Sequence, residues 1–457
     1  MGVIVLVIDE SNITKSVIKL SLPSVAEQAL FMVVGVVSTI LVGRISKEAI
    51  SGVGLVNVLV NFIMVLFVAL STGCTVLVAR LVGEEDYENA REAMKQSVVI
   101  GGITSLLVSL LFYIFAMPVM SVFFSRADSE VVRLAVIYFK ITLYTFPLTL
   151  VNIIISGSLR GSGDTRTPMI IANIVNILNI GLGLILIFGL NLSFLKFEGY
   201  GIVGAAWAVA LSRGIGGILS IAALYRRKNV ISANIFARFR MNVEIVRRML
   251  KVGIPAAMEQ VIMQGGFLML QVVISSMGTV AIAVYQIGMS VNSICFIPTW
   301  GFGIAATTLI GQSLGGKKPD IAEKCGWTAM KLSIGVISLL TIFIFIFARE
   351  LVTAYSSDHE VIGIGAAAIR IFCISTPFLA VVVAISSALR GAGDIMYVMI
   401  TSFVGIWGFR ILMAVLLNSL FGLGIMSVWI ALIFDFLIRS IMYFARFKRG
   451  NWKRIVI

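Results

Sequence analysis

The sequence is poor in charged and metal-binding side chains. Only 13% of its 457 residues are charged, against about a quarter in a soluble domain, and His359 is the single histidine. The four cysteines stand alone in apolar stretches, without the spacing of a disulfide framework or a zinc site. The chain also lacks a phosphate-binding GxxxxGK[ST] loop and a Ser/His/Asp pattern. These absences argue against an ATP-driven pump and an enzyme, and we expect no metal site and no cofactor apart from a transported Na⁺ or H⁺.

Apolar residues are abundant: they make up 59% of the chain, and its mean hydropathy is +1.04. Because a transmembrane helix needs about 20 mostly apolar residues, the pattern predicts an all-α polytopic membrane protein with twelve spans. The predicted spans cover residues 16–42, 50–79, 93–117, 131–158, 168–190, 200–225, 249–275, 280–312, 326–348, 361–389, 396–420 and 424–447.

The net charge of +14 follows the predicted topology. Of the 36 Lys and Arg residues, 24 lie in the termini and even-numbered loops and 6 in the odd-numbered loops. Positive residues concentrate on the cytoplasmic side, so we expect a multi-pass protein of the cell membrane with both termini in the cytoplasm. The basic excess is thus mostly a topological signal, so the expected partner is the lipid bilayer and no nucleic-acid partner is expected.

The two halves of the chain resemble each other. LRGSGD at 159–164 recurs as LRGAGD at 389–394, and LPSVAEQ at 22–28 recurs as IPAAMEQ at 254–260. Each half contains six predicted spans, and an even number gives both halves the same orientation. Parallel repeats of this kind occur in secondary transporters. We therefore predict two pseudo-symmetric six-helix bundles that function as a monomer, one over residues 1–228 and the other over residues 229–457.

Several motifs resemble the multidrug and toxic compound extrusion (MATE) family. They are LRGSGDTRTPM at 159–169, VSTILVGRIS at 37–46, LVGEEDYENAREA at 81–93 and the closing stretch at 428–454. The resemblance implies alternating access and export of small cationic or amphipathic substrates (organic cations, drugs or related metabolites) in exchange for H⁺ or Na⁺. The alternative is a flippase for a lipid-linked sugar or another lipid, from the same wider superfamily.

Two acidic residues are the main candidates for coupling. Glu27 and Glu259 each follow a proline by four residues inside a predicted span. A charge at bilayer depth is costly and is therefore a functional candidate by default. A carboxyl group in an apolar cleft can take up a proton, bind Na⁺ or pair with an organic cation, and competition among these ligands is a simple basis for antiport. The structural alternative is hydrogen bonding between helices.

Many family members have a cation site in the N-terminal lobe, and the resemblance places it at Ser38, Asn179, Gly183 and Val209. Of these four, only Asn179 retains the residue type found in the family. A site with one amide and no carboxylate would bind Na⁺ weakly, which moves the expectation towards the two glutamates.

Other polar residues within spans are candidates for lining a substrate cavity, and the two LRG motifs are candidates for gating loops. The cavity candidates are Gln260, Gln264, Gln271, Tyr285, Gln286, Asn292 and Arg410. The gating candidates are Arg160, Gly161, Asp164, Arg390, Gly391 and Asp394, whose charges are expected to tie each loop to a helix end. Asp435 and Arg439 are expected to pair on one helix face, and Arg410 has no partner evident in the sequence.

Overall fold

A computed structural model describes residues 10, 12–124, 128–192, 195–225, 230–232 and 240–455. Within these residues the chain divides into two compact units. The first unit consists of Ala26–Val82 and Asp86–Gly253. The second unit consists of three parts: the described residues up to Val25, the short segment Gly83–Glu85, and the chain from Ile254 onward. The predicted domain boundary between residues 228 and 229 lies outside the described residues.

The first unit is built from long apolar helices and one short hairpin. Its helices are α1 (Ile13–Gly43, from Ala26 onward), α2 (Lys47–Gly83), α3 (Tyr87–Ile114), α4 (Ala116–Phe123), α5 (Ser129–Leu143), α6 (Phe146–Gly161), α7 (Arg166–Phe188), α8 (Gly201–Leu224) and the start of α9 (Val243–Ser275). Between α7 and α8, strands β1 (Gly189–Leu192) and β2 (Leu195–Glu198) pair antiparallel, with Gly189 opposite Glu198.

The second unit repeats this arrangement without the hairpin in its described part. After α9 its helices are α10 (Thr279–Gly315), α11 (Pro319–Ile346), α12 (Ala348–Thr353), α13 (His359–Ala392), α14 (Ile395–Phe403), a π-helix (Val404–Ile411), α15 (Leu412–Phe421), α16 (Ile425–Arg449) and a 3₁₀ turn (Asn451–Arg454).

The sequence directs where several of these helices begin and end. Asp86, Asp128 and Asp358 precede α3, α5 and α13, and each side chain accepts a hydrogen bond from a backbone N–H of the first turn. Gly393 ends α13 with φ +88°, a left-handed conformation that glycine adopts without steric cost.

The predicted spans are confirmed. Eleven helices in the described part of the chain are long and apolar enough to cross a membrane, and α5 and α6, bent by 56° at a short break, pass the same test together as a twelfth candidate. Helices suit a bilayer because they satisfy their backbone hydrogen bonds internally.

Candidate ion and substrate site

The second unit holds Glu259 in a buried polar cluster. Glu259 lies on α9 with only 3% of its surface exposed, and it faces Arg390 in the last turn of α13. Arg390 Nη2 donates to Glu259 Oε1 at 2.6 Å, and Arg390 Nε donates to Oε2 at 3.1 Å. The Ser402 hydroxyl lies 3.2 Å from Oε1 and 3.2 Å from the Tyr443 hydroxyl. A guanidinium does not lose its proton, so this two-point contact places a permanent positive charge against both oxygens of Glu259.

The first unit contains the equivalent pair. Arg160, in the last turn of α6, donates from Nη2 to Glu27 Oε1 at 2.5 Å. Both side chains are mostly buried, with 12% of Glu27 and 20% of Arg160 exposed. Glu27 Oε2 is buried and has no hydrogen-bond partner among the described residues. One oxygen of this carboxylate is therefore left without a hydrogen bond, whereas both oxygens of Glu259 are bound.

The expected loop position of the LRG motifs is wrong for four of the six residues. Arg160 and Gly161 belong to helix α6, and Arg390 and Gly391 to helix α13, so these four residues do not lie in loops. The two arginines bind the buried glutamates because their side chains point back along the helix into the unit.

The aspartates of the same motifs bind elsewhere. Asp164 accepts hydrogen bonds from the Thr167 backbone N–H at 3.0 Å and the Thr167 hydroxyl at 2.6 Å. Asp394 pairs with Arg446 at 2.7 Å. Each aspartate therefore fixes the connection after α6 or α13, while the arginine before it contacts a glutamate.

Gly161 and Gly391 allow close helix contact. A Cβ atom at Gly161 would clash with the backbone carbonyl of Thr75 on α2, and one at Gly391 would clash with that of Thr307 on α10. The equivalent close contacts in the two units place Arg160 and Arg390 at matching positions.

Arg410 has a partner that the sequence did not reveal. It lies on the π-helix, 4% exposed, and both its Nε (2.8 Å) and its Nη2 donate to Oδ2 of the fully buried Asp435. The predicted pair of Asp435 and Arg439 is confirmed, with Arg439 Nε 2.6 Å from Oδ1. The Arg410 guanidinium also lies over the rings of Phe267 and Phe436, 5.7 and 5.3 Å from their centroids. These contacts anchor Arg410 in the interior of the second unit.

Asn179 is held in a small network in the first unit. It accepts a hydrogen bond from the Ser38 hydroxyl at 3.0 Å, and its amide nitrogen lies 3.3 Å from the Ser212 hydroxyl. The structure thus brings Asn179 and Ser38 together, as the resemblance implied, and adds Ser212. All three side chains are neutral.

The remaining cavity candidates are spread over α9 and α10 of the second unit. Tyr285 and Asn292 are buried, Gln260 and Gln264 are half-buried, and Gln271 and Gln286 are exposed. Tyr285 packs 6.1 Å from Trp429 and lies within electrostatic range of Arg410. The structure thus brings Tyr285 towards the Arg410 cluster, and the cavity role of the set stays a prediction.

Sequence reasoning missed Ser402 and Tyr443, which stand beside Glu259. No repeat or motif marked either residue, because they come from helices α14 and α16, far along the chain. The sequence did contain a signal for the Glu–Arg pairs, because Glu27 and Glu259 are equivalent in the repeat, and so are Arg160 and Arg390.

These features define a polytopic membrane protein of two repeated helical units, each with a buried glutamate held by an arginine at a helix end. The family model MatE matches the chain twice, over residues 23–185 and 255–416, which confirms the internal repeat. The chain belongs to the MatE family, whose members are membrane transporters and not enzymes.

Named relatives agree over almost the full length. The chain is 32% identical to "Probable multidrug resistance protein NorM" of Thermotoga maritima, covering 97% of this chain and 94% of that protein. It is 26% identical to "Uncharacterized transporter YisQ" of Bacillus subtilis, covering 96% and 95% of the two chains.

Solved structures share the fold. A multidrug resistance MATE family transporter in an outward-facing conformation matches with a TM-score of 0.88 at 24% identity, covering 98% of this chain and 97% of that one. A MOP superfamily transporter from Pyrococcus furiosus matches with a TM-score of 0.87 at 24% identity and 97% coverage of both chains.

Proposed function

We propose that this protein is a secondary active antiporter of the cell membrane. It exports organic cations, drugs or related metabolites in exchange for H⁺ or Na⁺ by alternating access. The proposal is supported by the family, by relatives that are named multidrug resistance proteins, and above all by the buried Glu259–Arg390 pair. Its orientation, with both termini in the cytoplasm, rests on the distribution of Lys and Arg.

The Glu259–Arg390 pair suggests how coupling works. Arg390 acts as an internal counter-ion that occupies the Glu259 carboxylate when no ion is bound to it. A proton or Na⁺ that binds Glu259 must displace this guanidinium, and a buried guanidinium without its partner is strongly destabilised. Arg390 then needs another acceptor, and the Ser387 hydroxyl already lies 3.5 Å from its Nη1. Ion binding is thereby linked to a rearrangement at the end of α13.

The test is transport by purified protein in proteoliposomes. Na⁺ and proton gradients are imposed separately, and efflux of ethidium is measured for the wild type, Glu259→Gln and the exposed-carboxylate control Glu48→Gln. Glutamine preserves shape but takes up no proton and binds Na⁺ only weakly, so we expect Glu259→Gln to lose coupled efflux about tenfold or more, the effect of removing about 1.4 kcal/mol of interaction. The control should keep the wild-type rate. Normal coupling in Glu259→Gln would contradict the proposal.

A second candidate is a flippase for a lipid-linked sugar or another lipid. One observation favours it: Arg390, Arg410 and Arg439 bring three guanidiniums to the interior of the second unit against two carboxylates. The one guanidinium charge that no carboxylate balances could bind the phosphate group of a lipid. Translocation of a fluorescent lipid-linked sugar in the same vesicles, with no ethidium efflux under either gradient, would favour this function over cation export.

A further inference from the structure

A cation lies over an aromatic ring at equivalent places in the two units. Lys140 Nζ on α5 is 5.1 Å from the ring centroid of Tyr113, and Arg370 Cζ on α13 is 5.8 Å from that of Phe345. Lys140 and Arg370 are equivalent in the repeat and each is the twelfth residue of its helix, while Tyr113 and Phe345 precede equivalent Phe-Ala dipeptides by two residues. This contact is thus a feature of the repeat, and the surroundings of the two cations can be compared directly.

Beside Arg370 the surface of the second unit is open. A groove of about 260 Å³ runs between α11 and α13, lined by Thr341, Ile342, Phe345, Ile346, Cys373 and Ile374. Cys373 and Ile374 stand three and four residues after Arg370, so the groove and the guanidinium share one face of α13. The ring of Phe345 both lines the groove and lies beneath the guanidinium. The apolar groove is therefore bordered at Phe345 by the positive charge of Arg370.

In the first unit aromatic rings occupy the corresponding place. Tyr144 stands where the second unit has Ile374, and its ring lies 5.5 Å from Tyr113 and stacks on Trp207 at 6.2 Å. The Tyr113 and Tyr144 hydroxyls are 3.0 Å apart. The first unit thus supplies an internal comparison: a cation at the same place, with tyrosines where the second unit has Phe345 and Ile374.

We propose that the Arg370 groove binds an anionic phospholipid, with its phosphate on Arg370 and an acyl chain in the groove. Arg370 is exposed, and no carboxylate among the described residues lies within 4 Å of its guanidinium. Its side chain points towards the N-terminal end of α13, as side chains on a helix do, which is the direction in which a long cationic side chain extends from an apolar setting towards the headgroups. The flat guanidinium matches a phosphate with two parallel hydrogen bonds. This site is separate from the transport function proposed above.

The occupant follows from the charge and the setting. The groove lies on helices that cross the bilayer, where acyl chains are the surrounding apolar molecules. A lipid with net negative charge is attracted to the guanidinium, which has no carboxylate partner. A zwitterionic headgroup brings its own cation close to Arg370, so its electrostatic attraction is weaker. We therefore expect phosphatidylglycerol to bind more tightly than phosphatidylcholine.

The test measures lipid binding to the full-length protein in detergent. Native mass spectrometry counts phosphatidylglycerol and phosphatidylcholine of identical acyl chains on the wild type, Arg370→Gln, Arg370→Lys and Lys140→Gln. We expect preferential retention of phosphatidylglycerol, an affinity loss of about tenfold in Arg370→Gln, partial retention in Arg370→Lys, and wild-type binding in Lys140→Gln.

The groove is tested separately with Ile374→Trp, which fills it and leaves Arg370 in place. We expect this variant to lose phosphatidylglycerol binding as well, while size-exclusion profiles and unfolding temperatures show that all variants are folded. The proposal is overturned if the two lipids bind equally, if Lys140→Gln loses as much lipid as Arg370→Gln, or if Ile374→Trp binds as the wild type does. A Lys140 effect of equal size would mean that any interfacial cation attracts the lipid.

Discussion

At the residue scale, buried charge in this protein is balanced unevenly between acids and bases. Asp435 accepts four hydrogen bonds, two from Arg410 and two from Arg439. One carboxylate thus compensates two guanidiniums, each with less than a tenth of its side chain exposed. The aspartate is therefore the residue on which the whole cluster depends.

We predict that Asp435→Asn strongly destabilises the protein. The substitution leaves two buried guanidiniums without a counter-charge, and breaking a buried ion pair from one side costs about 3–5 kcal/mol. The measurement is the midpoint temperature of unfolding of the purified protein in detergent.

The control for this prediction is Asp320→Asn. Asp320 also faces a cation, Lys453, at 3.6 Å, but its side chain is 89% exposed. Water screens such a pair, so its removal should hardly move the midpoint. Equal shifts in the two variants would show that the Asp435 cluster adds no special stability.

The sequence identified most charged residues of the site but not all their partners. The repeat marked Glu27, Glu259, Arg160 and Arg390, since each recurs in both halves. It did not show that they bind one another, because the contact joins residues more than 130 positions apart. Ser402 and Tyr443 left no pattern, since a lone serine or tyrosine in an apolar helix has many structural explanations.

At the scale of elements, the π-helix Val404–Ile411 interrupts an otherwise α-helical span. Such interruptions are rare and are often found at functional sites. Gly405 lies where this segment meets α16: a Cβ atom there would clash with Asp435 Oδ1 and would come within 2.5 Å of Arg439 Cγ and Cδ. A glycine is therefore required for the Arg410 cluster to assemble.

We predict that Gly405→Ala lowers both the unfolding temperature and the transport rate. The side chains of Asp435 and Arg439 are buried and hydrogen-bonded to each other, so they yield to the added methyl group at a cost, and steric overpacking of an interior typically costs about 1–3 kcal/mol. The measurements are thermal unfolding in detergent and ethidium efflux from proteoliposomes.

Gly408→Ala is the matched control within the same π-helix. A Cβ at Gly408 meets no described atom within 4 Å, so alanine should be tolerated or should stabilise the protein slightly by restricting the unfolded chain. If the two variants behave alike, close contact at Gly405 is not what determines stability.

Hydropathy predicted the existence of all twelve spans but not their irregularities. The structural bounds differ from the predicted ones by a few residues at most positions, because helices continue beyond the apolar core into polar turns. The 56° bend between α5 and α6 and the π-helix were not predicted. Both depend on local packing, whereas a hydropathy window records only length and polarity.

At the scale of the whole molecule, the duplicated sequence predicts six spans per half and therefore the same membrane orientation for both halves. The four native cysteines are buried, which leaves little background for labelling introduced cysteines. The proposed topology can therefore be tested in intact cells without first removing them.

We predict that Ser357→Cys, between α12 and α13, reacts with a membrane-impermeant maleimide added outside cells. Lys324→Cys, near the start of α11, should react only after the membrane is permeabilised. Both positions are exposed, so a difference in labelling reports sidedness. The reverse pattern would place the termini outside the cell.

The Arg410–Asp435 contact also bears on how the chain enters the membrane during synthesis. A single charge near the centre of a nascent span costs about 2.5–3.5 kcal/mol on insertion. Here the positive charge belongs to one span and the compensating aspartate to the next, and only Gly422, Leu423 and Gly424 separate their helices. The last two spans can therefore enter the bilayer as one hairpin in which Asp435 is already paired with Arg410 and Arg439, so the order of biosynthesis favours the pairing on which the folded protein relies.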